Sequence, residues 1–115
     1  MLRLLLGVEA AAFLLAALVH SGVLIPGFEH RAARIAETVL AVVLLTGLAV
    51  SALRPVATSS VGLAAQGFAL LGTLVSILTI VAGVGPQSVP DLVYHGAMVL
   101  LLAWGLFLAV RERPA

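Results

Sequence analysis

Residues 2–25 read LRLLLGVEAAAFLLAALVHSGVLI, an apolar run closed by Pro26-Gly27. A helix rises about 1.5 Å per residue, so about 20 such residues cross the roughly 30 Å of bilayer hydrocarbon. Three more runs follow: about Arg31 to Leu53, closed by Arg54-Pro55; Val61 to about Val84, closed by Gly85-Pro86; and about Asp91 to Val110, closed by Arg111-Glu112-Arg113-Pro114. The connections carry Pro, Gly and Ser, which end helices. A membrane-spanning strand needs only about 9–11 residues and a closed barrel around it, so strands are not expected. The pattern predicts an all-α, four-transmembrane-helix, up-down-up-down bundle, with residues 1–115 as a single transmembrane domain.

Composition agrees. Of the 115 residues, 63% are hydrophobic and 10% charged. A soluble domain averages roughly 45–50% apolar and about 25% charged. The net charge is +1, carried by six Arg and no Lys, and no basic surface for nucleic acid is formed. There is no cysteine, which excludes disulfides, thiolate metal sites and cysteine nucleophiles.

Helix termini are expected at capping residues: Ser60 for the third helix, and Pro90-Asp91 for the fourth, with an acidic group at the positive helix end. Ala65, Ala69, Gly72 and Ser76 form a small-residue stripe, the kind that lets helices approach closely in lipid. Glu9 within the first run, and the lack of a small-x-small cleavage site, make that run a span rather than a cleaved signal.

An even number of spans puts both termini on one side, with Arg3, Arg54, Arg111 and Arg113. Arg31 and Arg34 lie on the other. The positive-inside rule then places both termini in the cytoplasm. The expected setting is a bacterial inner membrane, since abundant Ala, Leu, Val and Arg without Lys fits a high-GC genome.

Ionisable groups in lipid are rare and usually functional. His20, Glu37 and His95 come from three helices and fall at one depth, about 8–9 Å below the outer boundary at 1.5 Å per residue. Arg31, Arg34, His30 and Asp91 lie just above. Arg34 and Glu37 are i, i+3 neighbours; Asp91 and His95 are i, i+4. Read structurally, His20, Glu37, His95 and Arg34 satisfy one another and fix helix register. Read functionally, His20, Glu37 and His95 are a ligand set for a divalent metal. Alternatively, the two imidazoles bind haem iron axially, with Arg31 or Arg34 at the propionates and Gly22 and Gly96 making room for the ring. A quinone or lipid head group would use the same layer, with Tyr94 and the arginines as donors.

A second layer lies in the inner half, where Glu9 and Gln66 are at similar depth. Glu9 and His20 are eleven residues apart and share a face. Structurally, Glu9 is a neutral carboxyl bonded to Gln66 or to a backbone carbonyl. Functionally, it carries protons or binds a cation.

Four helices and a glutamate in the first resemble, in topology alone, the small multidrug resistance transporters. There such a glutamate exchanges protons for a cationic drug within a dimer. The aromatic residues expected around that glutamate are missing, apart from Phe68 on helix three. The stretches Gly83-Val84-Gly85-Pro86 to Pro90-Asp91-Leu92-Val93-Tyr94-His95, and Gly7-Val8-Glu9 with Leu18-Val19-His20, resemble uncharacterised small bacterial membrane proteins, which imply no activity.

Three functions are therefore expected in turn. The first is a module binding haem, a metal or a small apolar ligand in the outer layer. The second is a proton-coupled transporter working as a homodimer around Glu9, and the third an accessory subunit of a larger membrane complex. The partners are lipid and these assemblies, not nucleic acid. No phosphate loop, catalytic triad or carboxylate pair at one depth suggests an enzyme.

Overall fold

The computed structural model describes residues 1–113. It contains four helices, α1 (Leu2–His20), α2 (Arg31–Leu53), α3 (Thr58–Val81) and α4 (Val89–Arg111), with a short 3₁₀ turn at Pro55–Ala57. No strand occurs among the described residues. Each helix is long and apolar enough to cross a membrane. The molecule measures 47 Å along its long axis, close to the roughly 40–45 Å of a bilayer with its head groups. Leu4, Leu15, Val42, Leu78, Leu100 and Phe107 are among many large apolar side chains facing outward. Water would make such a surface aggregate, and acyl chains do not. This is a multi-pass helical membrane protein.

Every helix contributes to one core: Leu6, Ala10 and Phe13 from α1, Leu40, Ala41 and Leu44 from α2, Ala65 and Ala69 from α3, and Met98 and Leu102 from α4. The spacings of three and four keep each set on one helix face. α1 packs mainly on α2, and α3 on α4 and α2. The small stripe of α3 works at the α2 seam. A Cβ on Gly47 would lie 3.0 Å from Ala65 Cβ, and one on Gly72 2.9 Å from Leu40 Cδ2. Near the other end of α3, Ser59 Oγ donates to the Ala109 carbonyl at 2.6 Å, tying α3 to α4.

Helix ends depart from expectation in places. α1 stops at His20, not Ile25, because Ser21 Oγ turns back to the Leu18 carbonyl at 2.6 Å and Gly22 takes a left-handed φ of 79°. A glycine just past the last turn is a common helix stop. α3 begins at Thr58, so Ser60 lies inside it and is not the cap. Pro55 opens the 3₁₀ turn, which runs straight into α3 and draws its start forward. α3 ends at Val81, two residues before left-handed Gly83. α4 opens at Val89 with Ser88 as its cap, and Pro90 sits in the first turn, where its missing N–H is harmless. Pro114, read as part of the closing signal of α4, lies outside the described residues.

Candidate functional site

The end of α1 places His20 between two carboxylates. Its Nδ1 lies 2.6 Å from Glu37 Oε1 on α2. Its Nε2 lies 2.7 Å from Asp91 Oδ1 on α4. His20, Glu37 and Asp91 are all buried. Ser88 fixes Asp91 from the other side: its hydroxyl donates to Asp91 Oδ2, while the Asp91 N–H returns to Ser88 Oγ at 3.2 Å. One carboxylate therefore serves both as a helix-start anion and as a partner for an imidazole on another helix.

Two hydrogen bonds join the three groups and tie α1 to both α2 and α4. Such a buried polar chain is stable only while every member keeps its partner.

His95, one turn below Asp91, donates from Nδ1 to the Asp91 carbonyl at 2.7 Å. Its Nε2 is thereby left as the acceptor of the neutral ring. Tyr94 packs edge-on to Phe13 and His95, with ring centroids 6.2 and 5.2 Å away. Its hydroxyl is enclosed and has no partner among the described residues. His30 caps α2: Nδ1 accepts the Ala33 N–H at 3.1 Å, so Nε2 bears the hydrogen and donates to the Val84 carbonyl at 3.2 Å. The His30 N–H meets the His20 carbonyl at 2.9 Å. This one residue joins the end of α1, the start of α2 and the α3–α4 connection.

His20, Glu37 and His95 thus come together, but the partner linking them is Asp91, expected as a helix-start residue just above them on the His95 face. Arg34 takes no part. It is exposed and forms no ion pair with Glu37 among the described residues. A long guanidinium side chain at a helix start reaches more favourable solvation outward than inward.

The geometry also bears on metal and haem. Both nitrogens of His20 face carboxylates, which leaves no lone pair for a metal. No group of three ligand-type residues suited to a metal ion occurs among the described residues. The glycines expected to make room for a haem do not share a gap. Gly22 packs on Glu29, and Gly96 is exposed with open space beside it.

Of the cavities beside the layer, two are lined by His20, Glu37 or His95. The larger, about 440 Å³, is a groove between α1 and α4 whose walls include Ala12, Leu15, Val19 and Phe28, with His20, Asp91 and Tyr94 as its polar members. The smaller, about 220 Å³, lies among α2, α3 and the start of α4, where Glu37, His95, Ser76 and Thr79 reach it.

In the inner layer Glu9 and Gln66 are both fully enclosed. Gln66 Nε2 donates to the Gly62 carbonyl at 3.1 Å. Gln66 Oε1 and both Glu9 oxygens have no partner among the described residues. Gly105 of α4 makes room for them: a Cβ there would collide with Gln66 Oε1 and stand 2.9 Å from Glu9 Oε2. A carboxyl proton on Glu9 shared with Gln66 would satisfy two of these oxygens at once.

Compared with protein-family models, curated proteins and solved structures, the chain matches none of them. Fold and site together define the class alone: a multi-pass helical membrane protein with a buried, hydrogen-bonded layer beside an apolar groove.

Proposed function

We propose that this up-down-up-down bundle is a membrane module that holds a small amphipathic molecule in the α1–α4 groove. The molecule has an apolar body and a hydroxyl head, as a quinol has. The carrying observation is the groove itself. It is about 440 Å³, within the roughly 300–1,000 Å³ usual for small-molecule sites, and almost wholly apolar apart from His20, Asp91 and Tyr94. The body lies along Leu15 and Val19, and a hydroxyl head donates to a second lone pair of Asp91. Haem and divalent metal fit less well, since His20 has no nitrogen to offer. Transport around Glu9 would require an opening to a carboxyl that is fully enclosed here. The setting we propose is a bacterial inner membrane with both termini cytoplasmic, so that the groove opens in the outer leaflet. Surrounding lipid, or a second copy or larger complex, supplies the ligand.

A short-chain quinol, kept reduced, tests this. In detergent it should raise the unfolding temperature of the full-length protein saturably. Ala12→Phe, which fills the groove, should abolish the effect. Equal stabilisation of the Ala12→Phe variant would defeat the proposal.

A further inference from the structure

The smaller cavity, on the far side of Glu37 from His20, has a lining of unusual chemistry. Ser76 donates its hydroxyl hydrogen to the Gly72 carbonyl at 3.0 Å, and Thr79 donates to the Ser76 carbonyl at 2.6 Å. What these two side chains have left to offer is lone pairs. His95 spends its Nδ1–H on the Asp91 carbonyl, so Nε2 of the neutral ring is an acceptor. His30 spends its Nε2–H on Val84. Glu37 uses Oε1 on His20, while its Oε2 is buried and has no partner among the described residues. Glu37 as a residue is only 4% exposed. The polar side chains that reach the cavity are thus short of donors. The basic residues nearest in sequence, Arg31 and Arg34, are exposed and do not line the cavity.

Buried acceptors without donors are rare in native proteins and mark a missing partner. About 220 Å³ is too roomy for a bare ion, and Ala33, Ala36, Val75 and Pro86 make much of the wall apolar. We propose that this cavity binds a small primary ammonium ion, its N–H groups directed to Glu37, His95, Ser76 and Thr79 and its alkyl part held by the alanines and Val75. The site is separate from the α1–α4 groove and does not depend on what that groove holds.

The probe is methylammonium chloride, added to the full-length protein in detergent at fixed ionic strength. The unfolding temperature should rise saturably, by several degrees. Sodium chloride should do nothing, and tetramethylammonium, which has no N–H, should do nothing either. Glu37→Gln should remove the response. Because that change also weakens the His20 bond and can impair folding, Ala33→Leu serves as the second variant. It fills the cavity and leaves Glu37–His20 untouched, and it too should lose the response. Ala12→Phe, in the other groove, should keep it. An equal effect of tetramethylammonium or sodium would overturn the proposal, as would a response preserved in Ala33→Leu or none in the folded wild-type protein.

Discussion

His20 concentrates most of what is chemically unusual here, because it is the shared partner of two buried carboxylates. Removing one member of a buried ion pair costs about 3–5 kcal/mol, since the survivor is left uncompensated. His20→Ala strands two such survivors. Reversible unfolding in mixed detergent should show a loss at or above that range, and a loss under about 1 kcal/mol would mean that the layer is not held as described. Gly105 makes the matching prediction in the inner layer. Gly105→Ala pushes a methyl into Gln66 and Glu9 and should destabilise by about 1–3 kcal/mol or more. Gly96→Ala, with nothing within 4 Å, should be close to neutral in the same assay.

At this scale much of the site was legible. Depth counting brings His20, Glu37 and His95 to one level, because helical rise is fixed by the backbone and does not depend on packing. Asp91 was visible as a helix-start anion just above this layer on the His95 face, but not as the partner of His20. Its second role depends on α1 ending at His20, level with the start of α4, and Ser21-Gly22 was the available signal. Arg34 was misjudged because i, i+3 spacing permits a pair with Glu37 without requiring one. Solvation of the guanidinium decided the outcome.

Among the elements, α2 and α3 depend on close approach. Gly47 lies so near α3 that even a Cβ would stand 3.0 Å from Ala65 Cβ and 3.3 Å from Val61 Cγ1. Gly47→Leu should therefore separate the two helices. A disulfide between introduced cysteines at Val43 and Ala65 reports on this by forming less readily in the Gly47→Leu background. Unchanged crosslinking would contradict the seam.

His30 is the corresponding fastener at the opposite end. His30→Ala removes the α2 cap, worth about 1 kcal/mol, and the tether to Val84. Amide exchange should rise at the start of α2 and in the α3–α4 connection together, not at one alone. A histidine cap is uncommon beside Ser, Thr, Asp and Asn, and the sequence offered no reason to choose it. The four apolar runs were legible throughout, because span length is imposed by the bilayer. Their ends were less so. The Pro55 turn continues into α3 and bypasses Ser60, a tertiary and backbone outcome that capping rules alone do not foresee.

For the molecule as a whole, the outward apolar surface and the inward polar layers fit lipid as solvent. The absence of cysteine makes topology simple to test. Single cysteines at Gly27 and Gln87 should react with an impermeant maleimide added outside intact cells. One at Val56 should react only after permeabilisation. Gly27 and Gln87 on opposite sides would break the alternating order, and a uniform reversal would invert the orientation while leaving the bundle intact.

The central claim is that the α1–α4 groove holds a small amphipathic molecule, and native mass spectrometry of the protein released from detergent tests it most directly. The account predicts a species heavier than the polypeptide by one small organic mass, released on activation and missing from Ala12→Phe. A spectrum of bare polypeptide alone, or an adduct that Ala12→Phe retains, would contradict it.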